Sequence, residues 1–283
     1  LNLYNDTFNR DIKILIDTLK IDLIHIHHLK HMYLDIFKVA KERSIPVIYT
    51  LHDFYSICPS VKLFNKETFL CNYANTAGCG SCIAKTFNLN INFIPLWRKE
   101  FYENLKTVKK IIVPSYSTKN IFLNTYKDLT IEVVEHGYDK INGKPNNDNP
   151  DKKKKNKKFN IAFIGYITEE KGLKYLEELT EKVKGTDINV HLFGQTTNKK
   201  CNKNKKNYVY HGKYIQQDLP NLLLENDIKL ICLLSMWPET YSYTLSESLI
   251  SEIPVISFDL GAIAERVKKA DVGWILPINS TLD

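Results

Sequence analysis

The chain has 283 residues, a length that predicts two domains rather than one. Its 43% hydrophobic and 25% charged residues are typical of a soluble globular protein, and no apolar stretch is long enough to span a bilayer. Six cysteines are too few for a secreted disulfide scaffold of this size, so we expect a reducing cytoplasm. Composition therefore argues against an integral membrane protein and against a disulfide-rich secreted domain.

The net charge is mild, at +7 from 39 basic and 32 acidic residues, and much of the excess lies in the run "DKKKKNKK", residues 151–158. We interpret this run as part of a solvated linker; attraction to phosphates or to an anionic membrane surface is the alternative. We expect no nucleic-acid partner. Because the chain starts at Leu1 rather than at a methionine and ends at Asp283 without a clear terminal element, we expect a fragment lacking both termini.

The first half of the chain alternates apolar strands with helical stretches. Met32, Ile36 and Val39 recur at helical spacing and predict one buried helix face. A cysteine-bearing stretch at 54–85, which we interpret as an irregular insertion, follows the second strand. The predicted strands are 21–27, 45–51, 109–115 and 130–137, and the predicted helices are 31–44, 95–108 and 117–126.

Residues 138–158 are rich in Asn, Lys, Asp and Pro, which is linker composition. A second alternating series follows. Its predicted strands are 159–165, 188–194, 207–212, 228–235, 253–258 and 273–277, and its predicted helices are 170–183, 215–226, 243–251 and 261–270. Alternation of this kind predicts an α/β protein with two doubly wound parallel-sheet domains, 1–137 and 159–283, joined by a linker at 138–158.

Ligands of open parallel sheets bind where strands end and helices begin, so the residues after each strand of the second half carry the functional signal. Gly165 follows the first of these strands and allows close backbone approach, and Lys171 precedes the next helix, where a phosphate would bind. Glu239 follows a later strand, and a helix predicted to start near Thr244 carries Glu247 in its first turn.

A carboxylate repels phosphate but accepts hydrogen bonds from vicinal hydroxyls, as acidic residues do with ribose. Phosphate donors, a ribose acceptor at Glu247 and a sugar acceptor at Glu239 together predict a nucleotide-sugar site. The alternative is purely structural: "TLSE" at 244–247 is also a capping-box pattern, and Glu239 could be a surface charge on a loop.

The stretches "FIGYITEEKG", "LFGQ" and "PETYSYTLSESLISEIPVISFDLGAIAE" resemble the donor domain of retaining glycosyltransferases of the GT-B fold, family 4. "DLIHIHHL", "IPVIYTLHDFYSICP", "IIVPSYST" and "VVEHGYD" resemble the acceptor domain of that family. The resemblance extends over nearly the whole chain. It implies two Rossmann-like domains facing a cleft and the metal-independent, cofactor-free transfer of a sugar from a nucleotide-sugar to a glycan or lipid-linked acceptor.

Carried over by position, the resemblance assigns the Glu-x7-Glu motif of the family to Glu239, on the donor sugar, and Glu247, on the ribose. The other implied roles are the active-site histidine at His52, the close-approach glycine at Gly165, the diphosphate cation at Lys171, and diphosphate-binding backbone N–H groups at Tyr243, Thr244 and Leu245. It also implies a cytoplasmic enzyme of cell-surface polysaccharide synthesis, with membrane contact at the inner face through 96–101 as an open alternative.

The chain departs from the family in three respects. Tyr166 stands where many members have an arginine, which leaves Lys171 as the main diphosphate cation. The glycine-rich first loop and first strands are absent, and so is the final helix. An inactive nucleotide or glycan binder on the same scaffold is therefore an alternative, and a sugar-nucleotide epimerase is a third.

Two clusters remain open from sequence alone. His25, His27, His28 and His31 lie near the end of the first strand, where they either line an acceptor cleft or pack in the core; they cannot all ligate one metal, because neighbours on a strand alternate faces. Cys58, Cys71, Cys79 and Cys82 could form a structural zinc site, but the spacing before Cys79 favours unligated thiols.

Overall fold

The computed structural model describes residues 2–65, 71, 76–138, 158–278 and 280–281. The chain divides into two compact units, Leu1–His136 and Gly137–Asp283. Most of the predicted linker, including nearly all of the lysine run, falls outside the described residues. No helix in the described part of the chain is long and apolar enough to cross a membrane.

The first unit contains a parallel sheet with strand order β1-β2-β3-β4. Its strands are β1 (Ile24–Ile26), β2 (Val47–Thr50), β3 (Lys110–Val113) and β4 (Ile131–Val133). Its helices are α1 (Asp6–Leu19), α2 (Asp35–Glu42), α3 (Thr76–Phe87), α4 (Phe93–Leu105) and α5 (Tyr116–Thr125).

Aromatic side chains fix the loop that follows β2 in the first unit. Trp97 on α4 is fully buried, donates from Nε1 to the Tyr55 carbonyl at 2.9 Å, and meets the Tyr55 ring edge-on. The Tyr126 hydroxyl donates to the Ser56 carbonyl at 2.5 Å. Because these bonds satisfy buried carbonyls, the loop that begins at His52 has a defined path.

The structure corrects three expectations for the first unit. Met32 lies before α2 and is 41% exposed, so only Ile36 and Val39 of the predicted face are buried. The cysteine-bearing stretch is not wholly irregular, because α3 carries Cys79 and Cys82. Helix α1 was not predicted, although Asn5 caps it by accepting from the Phe8 N–H at 2.8 Å.

The second unit contains a six-stranded parallel sheet with the order β10-β9-β8-β5-β6-β7. Its strands are β5 (Phe159–Ile167), β6 (Ile188–Thr196), β7 (Tyr208–Gly212), β8 (Ile228–Leu233), β9 (Val255–Phe258) and β10 (Gly273–Leu276). Its helices are α6 (Leu173–Lys182), α7 (Leu219–Glu225), α8 (Tyr243–Ile250) and α9 (Gly261–Ala270).

The strand order of the second unit reverses between β5 and β8. The chain builds β5, β6 and β7 toward one edge and then returns to place β8 on the other side of β5. The connections after β5 and β8 therefore leave on opposite faces, and a crevice opens between them at the carboxyl ends. The α/β fold class predicted from the sequence is confirmed by the two parallel sheets.

Two glycines bring the ends of β5 and β6 into close contact. Gly194 has φ +131°, and a Cβ there would lie 1.9 Å from the Gly165 carbonyl oxygen. Gly165 itself has φ +102°. Only glycine satisfies both the backbone conformation and the spacing, and so this pair fixes where β5 leaves the sheet.

Gly194→Ala should destabilise the second unit far more than the same substitution at a glycine that also has positive φ but has no atom close to its Cβ position. Gly185→Ala is the matched control, because Gly185 has φ +82° but open space around its Cβ position. We expect the control to cost about 1 kcal/mol and Gly194→Ala at least 3 kcal/mol, measured by urea unfolding. Equal losses would contradict the tight packing of the two strand ends.

Candidate functional site

The candidate site lies at the crevice between β5 and β8 in the second unit. A Cβ on Gly165 would meet the Thr244 side chain at 3.1 Å, so the start of α8 packs directly against the end of β5. The predicted glycine and the predicted helix start therefore come together. Tyr166, next to Gly165, is 56% exposed.

Lys171 ends a 3-10 turn, Glu169–Lys171, that follows β5. Gly172 allows this turn to approach the connection after β8, since a Cβ on Gly172 would lie 2.3 Å from the Leu234 carbonyl oxygen. The Met236 N–H also donates to the Glu170 carbonyl at 2.8 Å. These contacts bring Lys171 Nζ to 3.5 Å from Glu239 Oε1.

Glu239 is buried, not a loop surface charge, which corrects the structural alternative for this residue. Its side chain is 8% exposed. The Ala262 N–H at the start of α9 donates to the Glu239 carbonyl at 2.8 Å. Gly261 makes this approach possible, because a Cβ there would lie 2.7 Å from the Pro238 backbone. Gly261 was not identified from the sequence. The signal that could have identified it is a glycine at the first position of a predicted helix.

The N-terminus of α8 is capped by Ser242, not by Thr244. Ser242 Oγ accepts from the Leu245 N–H at 3.4 Å and lies 3.0 Å from Thr244 Oγ1. Glu247 consequently lies in the second turn, so the capping-box alternative for 244–247 is wrong. The three backbone N–H groups predicted to bind phosphate differ in their surroundings. The Leu245 N–H donates to the Ser242 cap, whereas Tyr243 is exposed and Thr244 is half-buried.

Arg266 on α9 holds the Ser242 cap in place. Ser242 has φ +76°, an uncommon conformation for a residue with a side chain. Arg266 donates from Nη1 to the Tyr241 and Ser242 carbonyls, from Nη2 to Ser246 Oγ, and stacks 4.0 Å from the Tyr241 ring centroid. Sequence reasoning missed Arg266, because its partners are backbone carbonyls far along the chain.

Glu247 is 5% exposed and accepts a hydrogen bond from the Tyr214 hydroxyl at its Oε2, at 2.8 Å. Burial raises the pKa of Glu247, while hydrogen bonds from Tyr214 and Gln216 and the positive charge of Lys171 act to lower that pKa. Tyr214 and Gln216 follow β7 and were not identified from sequence. Lys171 therefore acts electrostatically on both predicted carboxylates.

The arrangement combines two buried carboxylates, a cation that is 34% exposed and the first turn of a helix. Hydrogen-bond donors and a cation suit phosphate, and carboxylate oxygens suit vicinal hydroxyls. The structure brings together Gly165, Lys171, Glu239, Thr244 and Glu247 within one unit.

In the first unit, His52 lies at the end of β2 between two other histidines. His27 Nδ1 is 2.8 Å from His52 Nε2, and His52 Nδ1 is 3.1 Å from His136 Nε2. Burial, followed by the charges of neighbouring histidines, lowers the pKa of His52 to about 4. The core-packing alternative for the histidine cluster is wrong, since His25, His27, His28 and His31 are all exposed.

Within the described residues, the cysteines of the first unit form no disulfide. Arg98 donates to Cys79 Sγ and Asn65 to Cys82 Sγ, each at 3.5 Å. Across the described ranges, no three His, Cys, Asp or Glu side chains are arranged to hold a metal ion. The zinc alternative stays a hypothesis.

The apolar residues of 96–101 only partly suit membrane contact. Trp97 and Phe101 are fully buried in the core, whereas Leu96 is 54% exposed. Only Leu96 and the exposed Lys99 of this stretch could therefore reach a bilayer surface in large part.

Two protein-family models match the chain: Glycosyltransferase Family 4 over residues 2–140 and Glycosyl transferases group 1 over residues 145–282. The chain is 25% identical over 263 residues to an uncharacterised 41.2 kDa protein in the cps region of Klebsiella pneumoniae. That match covers 91% of this chain and 65% of the relative, so the chain spans just under two thirds of the relative's length.

Solved structures show the same fold. The Anabaena protein HepE (Alr3699) in complex with UDP matches 96% of this chain and 68% of its own, with a TM-score of 0.65 and 14% identity. The same protein in complex with UDP-glucose matches the same shares, with a TM-score of 0.62 and 15% identity. A glycosyltransferase from Rickettsia africae matches 99% of this chain and 70% of its own, with a TM-score of 0.64 and 18% identity.

Tyr214→Phe should destabilise the protein more at neutral pH than in acid. Because burial raises the pKa of Glu247, the native state binds more protons than the unfolded chain, and stability falls as pH rises from the ordinary value of 4.5 through the raised one. Tyr214 offsets this loss by bonding the ionised carboxylate. We expect a cost of about 1.5–3 kcal/mol at neutral pH and less below the ordinary pKa.

Urea unfolding at several pH values measures this difference. Tyr210→Phe is the control, because Tyr210 is a half-buried tyrosine on β7, just before Tyr214, and its hydroxyl makes no hydrogen bond with the described residues. A loss that is the same at every pH would mean that Tyr214 contributes packing alone.

Proposed function

Because the chain belongs to the GT-B glycosyltransferases, with a family 4 region followed by a group 1 region, we propose that the whole protein transfers a sugar from a nucleotide-sugar donor to a glycan or lipid-linked acceptor. The observation that carries this proposal is the convergence of Lys171, Glu239 and Glu247 at the crevice between β5 and β8. A lone phosphate site would not need two buried carboxylates beside its cation.

The donor binds with its ribose against Glu247 in this proposal. Tyr214 and Gln216 both bond the Glu247 carboxylate, and since each carboxylate oxygen can accept more than one hydrogen bond, the group can still accept from a ribose hydroxyl. The diphosphate lies between Lys171 and the first turn of α8, where the Tyr243 and Thr244 N–H groups supply hydrogen bonds. Gly165 carries no side chain, so the ligand can approach the backbone at the end of β5.

Diphosphate binding also prepares Glu239. Lys171 contacts Glu239 in this structure, and a diphosphate carries more negative charge than one carboxylate. Lys171 therefore turns toward the diphosphate when the donor binds. Glu239 is then released to accept hydrogen bonds from hydroxyls of the donor sugar.

In the transfer step, the bond from the anomeric carbon to the diphosphate oxygen breaks, and a bond to the acceptor oxygen forms. Negative charge grows on the leaving diphosphate, and Lys171 with the α8 N–H groups stabilises that charge without a metal ion or other cofactor. The acceptor hydroxyl attacks from the face that the diphosphate leaves and passes its proton to the departing phosphate. This sequence retains the anomeric configuration and uses no carboxylate nucleophile.

The comparisons guide the choice of substrates. HepE was solved with UDP and with UDP-glucose, so UDP-sugars are the donors to test first. Similarity to a protein of the cps region supports a place in cell-surface polysaccharide synthesis. We propose a cytoplasmic enzyme acting at the inner face of the cell membrane, with the first unit binding the acceptor.

Lys171→Ala should lower turnover while leaving acceptor binding intact, because the lysine acts on the leaving group. We expect kcat to fall about 10²-fold and the acceptor KM to change less than about threefold. Lys174→Ala is the control, since Lys174 lies close in sequence but pairs with Glu178 at 3.7 Å. Release of UDP from a radiolabelled UDP-sugar is the measurement, and equal losses of kcat and acceptor affinity would refute this role.

The stereochemistry of the product tests the transfer mechanism separately. With an α-linked UDP-sugar as donor, we expect an α-linked product in the proton NMR spectrum of the new glycosidic bond. A β-linked product would require inversion and would exclude attack from the leaving-group face. Nucleotide binding without any transfer by the whole protein would favour the inactive binder.

A further inference from the structure

Three imidazole rings of the first unit form a hydrogen-bonded chain, which we call the imidazole chain: His27, His52 and His136. The rings come from the ends of β1, β2 and β4, and their nitrogens join in two bonds, His27 Nδ1 to His52 Nε2 at 2.8 Å and His52 Nδ1 to His136 Nε2 at 3.1 Å. The ring centroids are 5.1 Å and 4.8 Å apart. Parallel strands bring these rings to one edge of the sheet.

The hydrogen bonds of the imidazole chain limit which further hydrogen bonds His52 can make. A neutral imidazole has one N–H donor and one acceptor nitrogen. His52 is in contact through both nitrogens, so as a neutral ring it donates one bond within the chain and accepts the other. Its low pKa, about 4, keeps it neutral at physiological pH. His52 then has no ring nitrogen left for a substrate.

His27, unlike His52, has one ring nitrogen that takes no part in the imidazole chain. His27 is exposed, and within the described part of the chain its Nε2 makes no hydrogen bond. The His25 ring lies 4.0 Å from the His27 ring and is itself held by a 2.8 Å bond from Nε2 to Thr50 Oγ1. The orientation of His27 is thus set on one side by His52 and on the other by His25.

We propose that His27, not His52, is the imidazole of the first unit that touches the acceptor, through one hydrogen bond between Nε2 and an acceptor hydroxyl. His52 and His136 are positioning residues, which fix the ring angle and the tautomer of His27. If His27 Nδ1 donates to His52, then His27 Nε2 accepts from the acceptor hydroxyl. If His52 donates to His27 Nδ1 instead, then His27 Nε2 donates to that hydroxyl. This inference rests on the proposed function and changes the role expected for His52.

The neighbouring His28–Asp53 pair does not alter this assignment. His28 Nδ1 bonds Asp53 Oδ2, and Asp53 Oδ1 accepts from the Tyr55 N–H at 2.7 Å. The carboxylate of Asp53 is therefore already engaged at both oxygens. Asp53 orients His28 and the loop, and the imidazole chain lies beside this pair.

Acceptor kinetics of the whole protein test the inference with a UDP-sugar donor. His27→Ala should lower kcat/KM for the acceptor by about tenfold or more, the loss of one hydrogen bond of about 1.4 kcal/mol, while UDP affinity stays within about twofold. Lys38→Ala is the control, because Lys38 is an exposed residue of α2 in the same unit and lies outside both the imidazole chain and the histidine cluster.

Substitutions of His52 distinguish the positioning role from direct contact. A glutamine side chain has both a hydrogen-bond donor and an acceptor. His52→Gln should therefore preserve the hydrogen bonds to His27 and His136 and keep much more activity than His52→Ala. An unaffected His27→Ala enzyme, with His52→Gln as inactive as His52→Ala, would overturn the inference and place the contact at His52. A wild-type protein that binds UDP but transfers no sugar would instead refute the proposed function.

Discussion

Two carboxylates are buried beside a single partly exposed lysine, and the shape of the second unit depends on this constraint. A buried carboxylate is costly unless a cation or hydrogen-bond donors compensate it. Lys171 lies 3.5 Å from Glu239, and its charge partly offsets the rise in the pKa of Glu247 that burial causes, while Tyr214 bonds Glu247 directly. The loops after β5, β7 and β8 must therefore meet at one point.

Glycines make that meeting possible. Gly165 and Gly194 bring the ends of β5 and β6 together, Gly172 brings the Lys171 turn against the connection after β8, and Gly261 brings α9 under Glu239. Each position has positive φ and a Cβ that would press on a neighbouring residue. Backbone contacts of this kind fix the relative positions of these loops, which would reduce the ordering that binding of the proposed donor must impose.

Much of the second unit could be predicted from its sequence, because parallel strands buried on both faces appear as apolar runs and ligand-binding residues follow them. The convergence of Gly165, Lys171, Glu239 and Glu247 at one crevice was expected from this logic alone, and their roles in binding stay a prediction. Tyr214 and Arg266 were not, since their roles depend on partners brought close only by the fold. The cap at Ser242 was missed because its left-handed backbone has no sequence signal in a serine. Helix α3 was missed because its two glycines disfavour a helix, whereas in the fold Gly80 lets it pack closely against the backbone at Ile91.

The most direct test of the account is a crystal structure of the whole protein with UDP. We expect a ribose hydroxyl within hydrogen-bonding distance of Glu247, the diphosphate between Lys171 and the first turn of α8, and Lys171 moved from Glu239 toward the phosphates. A nucleotide bound elsewhere, with Glu247 still contacted only by protein side chains and Lys171 still paired with Glu239, would contradict it.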